Sequence, residues 1–241
     1  MRTQGEDATS ASPYEFNPSP YSSHALILNN LPERGHGLRV VDLGCAGGYL
    51  AGPLVQRGYD VVGVDIRVPA IESPQFTFVR GDLDEGLPDL RGPFDFVVAA
   101  DVLEHLRRPD QLLRSVRPLL APGGTVIASL PNSGHLYFRL VVLFGRFPAH
   151  DRGLFDRTHL RFFTLSSWRR LFVDAGLAFD LVSCTGVPFG RVFPRYERSA
   201  AVRAADRASC ALARVWRRLL AYQFIVRARA GSPGEVEHAA G

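Results

Sequence analysis

The chain has 241 residues, 46% hydrophobic and 22% charged, with a formal net charge of +4. These values suit one globular domain with a full core, or a domain carrying an insertion, and the charge is too small to argue for nucleic acid. The three cysteines, Cys45, Cys184 and Cys210, are odd in number and widely spaced, which excludes a disulfide scaffold and a cysteine-based zinc site and fits a reducing cytoplasm.

Along the chain, residues 1–20 are polar, rich in Ser and Pro and without an apolar core, so they read as a flexible segment rather than a signal peptide. A short helix is expected over 22–30, stopped by Pro32. An apolar run at 38–43 ends in a glycine turn, and a helix over 49–57 follows, stopped by Gly58. Further strands are expected at 61–64, 76–79, 94–99 and 125–130, with a helix over 110–120 before the last of these. The link between the second and third strands holds Pro69 and Pro74 and allows at most one helical turn. A helix over 166–175 with Gly176 as its stop, a strand over 177–183, an arginine-rich helix over 200–220 and a final strand over 222–228 complete the pattern. Short apolar strands separated by helices indicate an α/β fold with a parallel sheet covered on both faces. Residues 132–163 and 186–220 read as insertions in a domain spanning 21–230, and 231–241 as a flexible tail. The longest apolar stretch, near 136–147, is interrupted by Arg139 and Gly145 and is too short to span a bilayer.

The turn Asp42-Leu43-Gly44-Cys45-Ala46-Gly47-Gly48 carries most of the chemistry. Its small residues let a ligand approach the backbone, and Asp42 can position a cationic group. A nicotinamide fingerprint needs G-x-G-x-x-G, but Ala46 and Tyr49 stand at its second and third glycines. Asp65, Asp82 and Asp101 follow the next three strands. Four carboxylates at successive strand tips are expected to face one crevice, with Asp65 on ribose hydroxyls and Asp82 near an adenine amino group.

The motifs Val41–Leu50, Gly63-Val64-Asp65, Gly81-Asp82-Leu83, Ala100–Leu106, 119–124 and 154–164 together resemble the class I S-adenosylmethionine (SAM)-dependent methyltransferases, in the branch of the ubiquinone-biosynthesis O-methyltransferases. The resemblance covers about residues 20–185 and resumes in the last strand; it departs at Ala46, where many relatives carry glycine. It implies a Rossmann-like seven-stranded sheet in the order 3-2-1-4-5-7-6, strand seven antiparallel, with SAM as cofactor on Asp42, Gly44, Cys45, Ala46, Gly48, Asp65, Asp82 and Asp101. It also implies methyl transfer to a small-molecule or glycan-intermediate acceptor, on oxygen, with a non-catalytic SAM-binding regulator or scaffold as the alternative.

Methyl transfer from a sulfonium needs alignment, exclusion of water and sometimes removal of a proton. His159 is the expected base, with Asp156 orienting it and Arg161 or Arg157 holding an anionic substrate group. The alternative is a structural lid. Asp101, Glu104 and His105 match a pattern associated with a divalent metal in the quinone enzymes, but the same pair also caps and packs a helix, and no metal is expected. His24, His135 and His150 stand alone and are expected at most to edge the pocket. The apolar stretch 136–144 is expected to roof the acceptor site, with shallow membrane contact as the alternative. For the basic late helix, a solvated face is the default reading and an anionic partner the sharper one.

Overall fold

Hydrophobic residues on consecutive positions of a strand point to opposite faces, so a strand buried on both sides must be apolar throughout. In the computed structural model, which describes residues 19–231, this rule builds the central sheet. Strands β1 (Arg39–Leu43), β2 (Asp60–Asp65), β3 (Phe76–Arg80), β4 (Phe94–Ala100), β5 (Leu120–Pro131), β6 (Leu177–Thr185) and β7 (Gln223–Ala230) lie in the order 3-2-1-4-5-7-6. Strands β1 to β5 pair in parallel, and β7 runs antiparallel to both β5 and β6.

The two faces feed two cores. Val41 and Leu43 of β1, Val97 and Ala99 of β4, and Val126, Ala128 and Leu130 of β5 pack on one side, with Leu112, Leu113 and Val116 of α3 (Pro109–Val116) and Trp168 and Phe172 of α5 (Leu165–Asp174). Their neighbours Val40, Val98 and Ile127, with Ile225 of β7, pack on the other side. There they meet Ile27 and Leu28 of α1 (Ser23–Asn29) and Leu54 of α2 (Ala51–Gln56). Ser22 caps α1 by accepting from the Ala25 N–H at 3.1 Å, and the Arg227 guanidinium donates to the Asn30 carbonyl at 3.0 Å, fixing α1 across the sheet.

The expected strands and their order match the structure, and several helix ends differ. No helix joins β2 to β3, as the two prolines require. Helix α2 starts at Ala51, not at 49, because residues 46–50 stay in turns. The Pro122-Gly123-Gly124 segment lies inside β5, whose pairing with β4 shifts register between Phe94 and Phe96. The helix expected over 200–220 breaks at Trp216 (φ −129°, ψ 68°) into α7 (Ala200–Val215) and α8 (Arg217–Leu220), and α6 (Phe189–Val192) precedes them. All of residues 1–18 and 232–241, and thus most of the expected flexible ends, lie outside the described residues.

Between β5 and α5, α4 (Leu136–Leu143) is capped by His135, whose Nδ1 accepts from the Tyr137 N–H at 3.1 Å. None of its residues is buried. No helix among the described residues is long and apolar enough to cross a membrane.

Trp168 locks α5 to the end of β5: its indole N–H donates to the Pro131 carbonyl at 2.9 Å, and its ring lies 4.0 Å from that of Phe163. Trp168→Ala removes a fully buried side chain and orphans that carbonyl. It is expected to cost about 3–5 kcal/mol, measured by urea unfolding followed by circular dichroism; a loss below about 1 kcal/mol would contradict this packing.

Candidate functional site

In parallel α/β sheets, ligands settle beyond the carboxyl ends of the strands, where the order reverses. Here that point lies between β1 and β4, and a cavity of about 280 Å³ opens there, lined by Asp42, Gly44, Cys45, Ala46, Asp65 and Asp101 among others.

The turn after β1 is shaped by backbone that favours glycine. Gly44 has φ +71°, and a Cβ there would sit 2.6 Å from Val102 Cγ2. Ala46 also takes a positive φ, +45°, at a cost of about 1–2 kcal/mol for a residue with a Cβ. A hydrogen bond offsets that cost: the Ala46 N–H donates to Asp65 Oδ2 at 2.8 Å. Gly44 and Cys45 both donate to the Val64 carbonyl. The turn is therefore tied to β2, and its first three N–H groups are used within the protein rather than offered to a ligand. Gly48 (φ +80°) does not line the cavity; a Cβ there would collide with Ile71 Cδ1 at 2.2 Å, so its smallness serves packing.

Three of the four strand-tip acids share the cavity. Asp42 is 2% exposed, and burial, then the neighbouring Asp65, push its carboxyl up to about 7. Asp65 accepts from Ala46 with one oxygen and from the Arg67 N–H with the other at 2.9 Å, and each oxygen keeps a lone pair. Asp101, at φ +53°, accepts from Ser129 Oγ (2.9 Å), Gln223 Nε2 (2.7 Å) and Ser23 Oγ (3.5 Å). Burial raises its pKa, opposed by the Ser129 bond, by His24 and His105, and by the Ser23 bond.

Asp82 departs from the expected arrangement. It is exposed, and its Oδ1 accepts from the Asp84 N–H at 2.9 Å in a local turn. It lies beyond the β3 edge strand and does not line the cavity.

His24, on α1, lines the cavity opposite the turn, and burial holds its imidazole below the usual histidine range, as does Arg191. No spacing in the sequence links it to the strand tips, because α1 reaches this place only through its packing across β4, β5, β7 and β6. A second cavity of about 380 Å³ shares His24 and Asp101 with the first and is also lined by Arg152, Arg191, Tyr222 and Gln223. No α4 side chain lines either cavity. The expected roof is instead supplied by Arg152 and Gly153 of the same insertion, because α4 stacks Phe138 on Phe155 and leaves Leu136, Leu140, Val142 and Leu143 exposed.

His159 lies behind Asp101, in a cavity of about 80 Å³ that it shares with Glu104, His105 and Tyr222. Burial, then the His105 ring 4.8 Å away, lower its pKa to about 4. Its Nε2 is 3.9 Å from Glu104 Oε1. The Glu104 carboxyl is raised well above normal by burial and by Asp101, and its Oε2 has no hydrogen-bond partner among the described residues. Candidate ligand atoms of Glu104, His105 and His159 fall within 4.8 Å of one another, a different set from Asp101, Glu104 and His105, since Asp101 is held by Ser129 and Gln223. Asp156, buried, accepts from the Thr158 N–H and Oγ. Arg161 is exposed and donates to the Arg107 carbonyl at 2.6 Å, pinning the loop to the segment after β4; it lines neither cavity around Asp101 and His24. Arg157 pairs on the surface with Asp151 at 2.6 Å.

A crevice lined by Asp42, Asp65 and Asp101 suits a ligand with cationic centres and vicinal hydroxyls, and SAM carries an ammonium, a sulfonium and a ribose diol. Comparisons agree. A ubiquinone biosynthesis O-methyltransferase of Pseudomonas paraeruginosa is 31% identical over 189 residues, covering 72% of this chain and 80% of that protein. Another, of Caulobacter sp. (strain K31), is 35% identical over 105 residues, 40% of this chain, so that match spans only 42% of the Caulobacter protein's length. The fold matches that of magnesium protoporphyrin IX methyltransferase from Synechocystis with bound SAH, with a TM-score of 0.55, 21% identity, and coverage of 86% of this chain and 80% of that one. Residues 18–182 match the family described as Methyltransferase domain, and the chain therefore belongs to the class I SAM-dependent methyltransferases.

Proposed function

We propose that the chain methylates an oxygen of a small-molecule acceptor. The observation that carries this reading is the junction of two cavities at His24 and Asp101: the 280 Å³ cavity of the strand tips and the 380 Å³ cavity beside it. An acceptor in the second cavity would reach a cofactor in the first only there. The relatives named as O-methyltransferases favour oxygen. A cytoplasmic setting fits the three buried cysteines, which are free thiols.

SAM, when bound, supplies an electrophilic methyl on a sulfonium. The protein's part is to hold and align. Asp42 and Asp101 stabilise cationic charge in a site withdrawn from water, and Asp65 takes ribose hydroxyls with its remaining lone pairs. Two imidazoles held neutral by burial flank Asp101. His24 faces both large cavities and is assigned removal of the acceptor hydroxyl's proton. His159 faces only the small rear cavity, and is the second candidate base, in the position of a residue that holds its loop against Glu104.

Asp65→Asn is expected to weaken SAM and its demethylated product at least tenfold in calorimetric titration. Wild-type protein giving neither heat nor thermal shift with either ligand would overturn the reading.

A pH dependence follows from Asp42. With its carboxyl near pH 7 in the free protein, a cationic ligand favours the ionised form and releases a proton from this site. Affinity should therefore rise as pH increases from 6 to 8. Asp42→Asn should flatten that rise and reduce proton release, read from calorimetry in buffers of different ionisation enthalpy; an unchanged profile would remove Asp42 from the site.

Protein incubated with methyl-labelled SAM and a metabolite extract should yield a methylated product by mass spectrometry, and His24→Gln should reduce its formation about 10²-fold or more. A comparable loss in His159→Gln alone would transfer the base role to His159.

A further inference from the structure

The sign of the charge reverses across the junction. On the cofactor side the cavity is walled by Asp42, Asp65 and Asp101 and by no arginine. On the other side Arg152 and Arg191 line the 380 Å³ cavity, with Asp101 its single acid. That acid is already hydrogen-bonded by Ser129 and Gln223. Arg191 also lines a third cavity of about 530 Å³, together with Arg198, Arg203 and Arg207 and the acids Glu197 and Asp206. Asp206 Oδ1 is engaged by the Phe189 N–H at 2.7 Å, capping the turn that carries Arg191. Among the described residues none of these four arginines forms a salt bridge. Pro188 and Arg191 are common to the second and third cavities, so the arginine-rich lining continues from the junction to α7, with four arginines to two acids in the larger cavity.

Arginine clusters that outnumber the acids beside them raise the local concentration of anions, and the planar guanidinium matches carboxylate and phosphate bidentately. We propose that the acceptor is an anion carrying a phosphate or carboxylate that Arg191 holds, with any further anionic part lying among Arg198, Arg203 and Arg207. The arrangement keeps like charges apart. The cationic cofactor meets carboxylates, the anionic acceptor meets guanidiniums, and the two reactants attract each other across His24 and Asp101. This proposal rests on the methyl-transfer reading and adds the class of acceptor to it.

The test separates the two. A metabolite extract is divided on an anion-exchange resin into retained and unretained fractions, and each is incubated with methyl-labelled SAM and the full-length protein. The labelled product is expected from the retained fraction. Arg191→Gln should raise the apparent KM for that fraction at least tenfold with a smaller change in kcat, and should bind SAM in calorimetry within twofold of wild type. Arg191→Lys, which keeps the charge, should recover part of the loss. Phosphatase treatment of the retained fraction separates the two sources of charge: it abolishes a phosphorylated acceptor and spares a carboxylate. Labelling confined to the unretained fraction, or an Arg191→Gln protein with an unchanged KM, overturns the anionic acceptor and leaves methyl transfer standing. No labelled product from either fraction, with SAM still bound, overturns the transfer reading and this proposal with it.

Discussion

Withdrawing a carboxylate from water costs several kcal/mol unless neighbouring groups donate to it, and Asp101 meets this constraint with donors from three separate elements. Ser23 comes from α1, Ser129 from β5 and Gln223 from β7. The chain reverses through a positive φ to put the side chain there. Because the donors come from both ends of the sequence, the site is complete only when α1 is docked and β7 is paired with β5. Asp101 is also the point shared by the front, side and rear cavities. One half-buried acid thus ties the helix above the sheet to the strands below it and marks where two reactants can meet.

The architecture was legible because a parallel sheet buried on both faces leaves a crude signal, apolar runs of fixed length between helices. Boundaries failed where local chemistry competes with tertiary packing. Glycines and a positive-φ alanine after Leu43 delay α2 to Ala51. Trp216 breaks the late helix, although no proline or glycine lies near it. At Pro122–Gly124 the breaker residues do bend the chain, with Gly123 at φ +79°, but the bend is a bulge inside β5 where the register with β4 shifts rather than a turn before the strand.

The site was legible to the extent that it lies at strand tips. Asp42, Gly44, Cys45, Ala46, Asp65 and Asp101 follow from where each strand must end, and they converge. Gly48 and Asp82 stand in equally suggestive motifs, but one fills a packing gap against Ile71 and the other lies past the edge strand. Arg161, expected to hold an anionic substrate group, instead ties a loop to Arg107. His24 stands at the edge of the pocket, as expected of it, but its place between two cavities is not legible, nor is any role for Arg191. Neither sits in a motif, and both reach the junction only through long-range packing, α1 across the sheet and α6 beneath the Asp206 cap.

The alanine in the first turn binds two distant positions into one evolutionary unit. A methyl group held at φ +45° is tolerable while a carboxylate nineteen residues on accepts its N–H. Loss of that acid would release the turn as well as a ligand contact, so drift at position 65 is blocked as long as position 46 carries a Cβ. Glycine at 46 would relieve the turn and leave the ligand as the one demand on the acid at 65.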